Sequence, residues 1–233
     1  IMGCASCTSQ ERGGRALATY CTADIHGQLD VFEKLLKDIS LKKTDTLYVL
    51  GDVIDRGPCG IDILKIIMEA DNIKMIMGNH EQMCLDYLGP HGSYMAKGLW
   101  FNNGGQETYW DLIKMRSSAE RAEILEFMES LPDYFEIEVA DRKYYLVHGF
   151  PGETHHDRIW GRPKWKSKSP FKDTTVIIGH TPIACIPGVE VEPGNPLYIW
   201  HGNGIIDIDC GCPFIGGRLA CLCLDDMSER YYS

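Results

Sequence analysis

Six residues of metal-ligating type punctuate the chain: Asp24, His26, Asp52, Asn79, His148 and His180. Each follows a short, mostly apolar run, so each is expected where a buried strand stops. Two carboxylates, three imidazoles and an amide oxygen make a mixed N/O donor set that suits Mn²⁺, Fe or Zn²⁺ and fits blue copper poorly. Six donors are too many for one tetrahedral ion that must also hold substrate. They match two ions sharing Asp52 as a bridge. Such a pair, roughly 3.5–4 Å apart, clamps a phosphoryl group and acidifies a bridging water. Taken singly, each signal is weak: Asp-x-His at 24–26 is common, and a lone His after a strand is usually structural. Several strands ending this way in one chain carry the inference.

The stretch Leu47 to Arg56, reading LYVLGDVIDR, is the centre of the pattern. An apolar run ends abruptly at Gly51 and Asp52, and Asp55 and Arg56 follow at once. In α/β folds ligands sit at the carboxyl ends of strands. Three charges there would be costly without a metal, a phosphate or one another.

The elements that must position these residues can be read from periodicity. Residues 16–22 predict a strand leading to Asp24. Leu29, Phe32, Leu35, Leu36 and Ile39 form a helical stripe over 29–39, and Ile61, Leu64, Ile67 and Met68 another over 61–70. Lys74 to Met77 predicts a third strand, ending in Gly78-Asn79-His80-Glu81. The alternation implies a βαβ layout. Residues 82–134 differ: aromatics and glycines (Trp100, Asn103-Gly104-Gly105, Trp110) precede a helical face of Ile124, Leu125, Met128 and Leu131 that Pro132 stops. This reads as a helical insertion over one side of the site. Further strands are expected at Phe135–Val139, Tyr144–Val147, Val176–Ile178, Ile205–Asp209 and Leu219–Leu224. Residues 1–15, small, polar and Gly-rich, read as a tail, and 16–233 as one domain.

Composition bounds the function. With 233 residues, 44% hydrophobic and 24% charged, the chain has the composition of an ordinary soluble globular protein. A net charge of −10 argues against general nucleic-acid binding. One segment opposes that trend: Arg158 to Lys172 holds six basic residues and no acidic one, with Trp160 and Trp165 among them. It predicts a positive rim that attracts anions. No apolar run reaches membrane-spanning length, and residues 1–14 hold no apolar core of a signal peptide. The ten cysteines are expected as reduced thiols in a cytoplasmic protein. Cys4-x-x-Cys7 and Cys210-x-Cys212 could share a zinc, but neither has a second pair at zinc-ribbon spacing.

The ordered set of motifs carries a resemblance. Asp24-x-His26, Gly51-Asp52-x-x-Asp55-Arg56-Gly57, Gly78-Asn79-His80-Glu81, His148-Gly149 and Gly179-His180 resemble metallophosphoesterases of the phosphoprotein phosphatase family. Gly78 to Met83, Asn103-Gly104-Gly105 and Ile159-Trp160-Gly161-Arg162 are similar to its short bacterial and phage branch. The resemblance spans roughly residues 18–224. It implies a four-layer α/β/β/α sandwich of two mixed sheets, with metals at one edge. Asp24, His26 and Asp52 would hold the first ion; Asp52, Asn79, His148 and His180 the second. Mn is the first expectation, with Fe or Zn as alternatives. His80 would be the general acid, oriented by Asp55, with Arg56 and Arg162, beside Asn79 and His80, gripping the phosphate. A metal-bridging hydroxide would attack directly. The chain departs from the family at Ala23, often Gly there, and at Met77, often Arg.

The implied activity is hydrolysis of phosphoserine and phosphothreonine, with phosphotyrosine open, on phosphoprotein or phosphopeptide substrates. A monomer without nucleic-acid or membrane partners is expected. The rival is a symmetrical dinucleoside tetraphosphate hydrolase, although such enzymes more often carry Asp where Glu81 stands. A third reading is a non-catalytic metal-binding scaffold. The presence of His80 and Asp55 beside all six ligands opposes it.

Overall fold

The computed structural model describes residues 17–164, 166–192 and 195–233. The tail of residues 1–15, with Cys4 and Cys7, and Trp165 lie outside them. Two five-stranded sheets form the centre. The first runs β10 (Glu229–Tyr232), β9 (Leu219–Cys223), β1 (Thr19–Thr22), β2 (Thr46–Val49), β3 (Ile73–Met75). The second runs β4 (Tyr134–Val139), β5 (Arg142–Val147), β6 (Thr174–Ile178), β8 (Ile205–Asp207), β7 (Trp200–His201). Both are mixed. β1, β2 and β3 are mutually parallel, as are β5, β6 and β8, while β9, β10, β4 and β7 pair antiparallel.

The period-2 alternation of a strand assigns each side chain to a face. Cys21, Tyr48, Ala220 and Leu222 of the first sheet meet Tyr144, Leu146, Ile177 and Ile206 of the second in one buried cluster between the sheets. Tyr20, Leu47, Val49 and Cys221 point the other way, into the larger cluster beneath the helices. That cluster takes Phe32, Leu35 and Ile39 from α1 (Leu29–Ile39) and Ile61, Leu64 and Ile67 from α2 (Gly60–Glu69). It also takes Met83 and Cys84 from α3 (Asn79–Leu88), Trp100 from α4 (Lys97–Asn102), and Ile124 and Met128 from α6 (Ser118–Glu129). Between these last two lies α5 (Gln106–Trp110), continued by a wider turn over Asp111–Met115. The outer face of the second sheet carries a smaller cluster of Tyr145, Val147, Val176, Ile178 and Ile205. One short helix, α7 (His155–Trp160), stands between β5 and β6.

The helical stripe over 29–39 coincides with α1, and the helix expected at 61–70 begins one residue earlier. Four elements were not expected from the pattern: α3, α7 and the edge strands β7 and β10. Among the described residues no helix is long and apolar enough to cross a membrane. Every described cysteine is a free thiol. Burial pushes Cys21 and Cys84 well above the usual thiol range and Cys221 to about 12, so these thiols are poor nucleophiles.

Candidate active site

The six parallel strands bring their carboxyl ends to one edge of the sandwich. β1 delivers Asp24 and His26, β2 delivers Asp52 and Asp55, and β3 delivers Asn79 and His80. From the second sheet β5 delivers His148 and β6 delivers His180. Bonds across the edge lock the two sheets in register. His148 Nδ1 donates to the Leu50 carbonyl at 2.6 Å, and the His180 backbone N–H donates to Asp24 Oδ2 at 3.0 Å. These loops are tight. Asp24, His26, Asp52, Asp55, Arg56 and His180 all sit at positive φ, between 47° and 70°. Such left-handed backbone costs on the order of 1–3 kcal/mol per residue and persists where the surroundings over-determine it.

Asp52 is the hub. It is 2% exposed, and its two oxygens face opposite ways. Oδ2 lies 3.6 Å from His26 Nε2 and 3.8 Å from His80 Nε2; Oδ1 lies 3.2 Å from His148 Nε2. Two groups of donor atoms result, each mutually within 4.8 Å: His26, Asp52 and His80, and Asp52, His148 and His180. Asn79 joins the second through Oδ1, 2.9 Å from His148 Nε2. His180 Nε2 is buried without a hydrogen-bond partner among the described residues. A buried, unpartnered imidazole nitrogen beside a shared carboxylate fits a divalent cation, and the mixed N/O set fits two of them.

Electrostatics agree. Burial pushes Asp52 up, but His148, His80 and His26 outweigh it and hold the carboxylate well below its usual range. Burial and then His148 push His180 down to about 2, and burial together with His80 holds His26 well below the ordinary value. Both are therefore neutral imidazoles with a lone pair to offer. Burial, then Asp209, then Asp52 raise Asp24.

His80 joins His26 and Asp52 in the first donor group, and Asp24 turns Oδ2 to the His180 amide. The Arg56 guanidinium lies on the imidazoles, 2.6 Å from His26 Nε2 and 3.0 Å from His80 Nε2. Arginine has donors only, so both nitrogens accept and both rings carry their proton on Nδ1. His26 Nδ1 accordingly donates to the Ile54 carbonyl at 2.9 Å, and His80 Nδ1 to Asp55 Oδ2 at 2.7 Å. Arg162 is exposed at the rim, where it donates to the His180 carbonyl and Thr181 Oγ1 at 3.4 and 3.3 Å. Arg158, counted in the positive rim, is instead paired with Asp133 at 2.7 Å. His155 and His201, outside the motifs, are held by Asp133 and Glu229, both at 2.7 Å.

Residues to which the sequence attached no site role support the site. Glu81 is fully buried and clamps four backbone N–H groups, those of Asp52, Val53, Ile54 and Gly78, at 2.9–3.3 Å. Gly51, at φ +83°, lies against Gly78, where a Cβ would approach the Gly78 Cα to 2.6 Å. The signal for Glu81 was its place three residues after Gly78, from which its carboxylate reaches back to the Gly78 N–H at 3.1 Å; this is half of a capping box, since Gly78 has no side chain to return the bond. Gly105 packs under Trp100, and a Cβ there would lie 2.5 Å from the indole nitrogen. Gly105→Ala is expected to displace the indole and cost about 1–3 kcal/mol of stability, read by urea denaturation; an unchanged midpoint would show that the packing yields freely.

Known proteins resemble the chain in the same terms. The model of the calcineurin-like phosphoesterase family matches residues 17–207. Serine/threonine-protein phosphatase 2 of Salmonella typhimurium is 29% identical over 139 residues, 58% of this chain and 60% of that protein. A symmetrical bis(5'-nucleosyl)-tetraphosphatase of Delftia acidovorans is 42% identical over 67 residues, 28% of this chain and 24% of that protein. The chain thus spans less than two thirds of either relative's length. A metallophosphoesterase structure from Sphaerobacter thermophilus superposes with a TM-score of 0.59 at 21% identity, over 94% of this chain and 87% of that one. With the strand-end donors gathered at one edge and 191 consecutive residues matching the family model, the chain belongs to the calcineurin-like phosphoesterase family.

Proposed function

We propose that this chain is a metal-dependent phosphomonoesterase acting on phosphoserine and phosphothreonine in proteins or peptides. One observation carries the reading: the buried His80–Asp55 pair stands beside the doubly shared Asp52, with the exposed Arg56 against the His80 ring. In this reading Asp24, His26 and Asp52 hold one ion, and Asp52, Asn79, His148 and His180 the other, with Mn²⁺ the first choice. Bound, the ions would supply Lewis-acid polarisation of the phosphoryl group and lower the pKa of the attacking water. His80, once the phosphate draws the Arg56 guanidinium off its Nε2, would take a proton there from solvent and pass it to the ester oxygen as the P–O bond breaks. Asp55 fixes the ring through Nδ1, the usual task of a carboxylate behind a histidine. Arg56 and Arg162 supply the planar donors that suit non-bridging phosphate oxygens, with Asn79 beside them.

The phosphatase relatives support this substrate class by breadth, matching 58% and 64% of the chain. The tetraphosphatase reading is supported by the higher identity, 42%, over a shorter 67-residue match. A direct comparison separates the two. With Mn²⁺, a phosphoserine peptide is expected to be cleaved with at least tenfold higher kcat/KM than diadenosine tetraphosphate, and chelation is expected to abolish both. The reverse ratio would make the dinucleotide the substrate.

A further inference from the structure

Two side chains and one carbonyl from the segment between α3 and α6 converge on the Asp55–Arg56 turn. Trp100 Nε1 donates to Asp55 Oδ2 at 2.8 Å, the oxygen that also accepts His80 Nδ1 at 2.7 Å. Asp55 N–H donates to Thr108 Oγ1 at 2.9 Å, and Arg56 N–H to the Gly104 carbonyl at 3.0 Å. Asp55 and Arg56 both stand at positive φ, 70° and 64°, so these bonds hold a strained turn. Trp100 and Asp55 are fully buried and Thr108 is 3% exposed. Asp55 Oδ1 has no hydrogen-bond partner among the described residues. One oxygen thus carries both bonds, and nothing on the other oxygen prevents the carboxylate from rotating.

An indole N–H can donate but never accept. It therefore bonds Asp55 as a donor to the carboxylate and fixes the oxygen that faces His80. We propose that Trp100, seconded by Thr108, is a positioning residue for proton donation. Acting through Asp55, it holds the His80 ring with Nε2 toward the leaving oxygen. The inference rests on His80 being the general acid, as proposed above.

Leaving groups distinguish positioning from mere packing. A serine alkoxide must be protonated as it departs, whereas p-nitrophenolate leaves as a stable anion and gains little from an acid. Trp100→Phe keeps an aromatic ring in the cluster and removes the N–H together with the pyrrole edge of the indole. Its kcat on a phosphoserine peptide is expected to fall roughly tenfold or more, part of the 10²–10⁴ that acid catalysis supplies. Its kcat on p-nitrophenyl phosphate should change by less than about threefold, with KM steady on both. His80→Asn should show the same selectivity, more strongly. Thr108→Val, isosteric and without the acceptor oxygen, gives an independent reading if Trp100→Phe does not fold. Equal losses on the two substrates, or no loss on either, in a folded Trp100 or Thr108 variant whose His80→Asn counterpart is selective would overturn the positioning role. Equal losses in His80→Asn would overturn the acid role itself, and the proposal with it.

Discussion

Asp52→Asn is expected to lower kcat by about 10³-fold or more on p-nitrophenyl phosphate in the presence of Mn²⁺. The substitution preserves volume and one oxygen but removes the charge shared by the two donor groups. Asp52 Oδ2 faces His26 and His80 while Oδ1 faces His148, so no other side chain in either donor group touches both. A neutral amide offers one weaker oxygen where two anionic ones stood. Metal-ion catalysis is worth several kcal/mol of transition-state stabilisation, and each ~1.4 kcal/mol is a factor of ten. The same variant should retain less metal after gel filtration, measured by elemental analysis, because the charge shared by the two donor groups would help to hold the ions. Thermal melting monitors the fold. A folded Asp52→Asn protein with activity within tenfold of the wild type would remove Asp52 from the centre of the mechanism, whichever substrate the enzyme prefers.

The donors were legible in the sequence because strand ends are. A buried strand is a run of apolar residues, and polar groups at its end stand out against it. Asp24, Asp52, Asn79, His148 and His180 could each be placed on that ground, and the sheet pairing then brings their strands' ends together. The same contrast hid α3. Its first turn is Asn79, His80 and Glu81, all buried, and a periodic reading assigns polar residues to solvent. The helix therefore has no continuous apolar stripe, although it starts at the motif itself. Trp100 was hidden for a different reason. An aromatic in a helical insertion reads as core, and it is core, fully buried among Tyr87, Phe101 and Tyr109. Its hydrogen bond to Asp55 spans 45 residues, and no local pattern encodes such an approach. β10 escaped because a short edge strand carries charge by design against aggregation: Glu229 and Arg230 open it.

Glu81→Gln is expected to destabilise the protein by about 3–5 kcal/mol, a large share of the ~5–15 kcal/mol that holds a typical domain together. The four N–H groups on Glu81 all need acceptors. A carboxylate supplies two acceptor oxygens; an amide supplies one, and turns an NH₂ group toward the other pair of donors. Two buried amides are then left without partners, each costing about 1–3 kcal/mol. Burial and the Asp52 charge raise the Glu81 carboxyl to about 7, so the anion itself is held under strain. What relieves that strain is the backbone of Asp52, Val53 and Gly78, whose donors converge on Glu81. The arrangement works in both directions. Glu81 holds the Asp52 turn at φ 54° through the Asp52 N–H, and Asp52 Oδ1 accepts from the His80 N–H at 3.0 Å in the first turn of α3, where an anion meets the positive end of the helix. Equilibrium urea denaturation, followed by far-ultraviolet circular dichroism, measures the loss. A variant within 0.5 kcal/mol of the wild type would mean that water or a relaxed loop satisfies these amides, and that Glu81 follows His80 in the sequence for a reason other than holding the Asp52 turn.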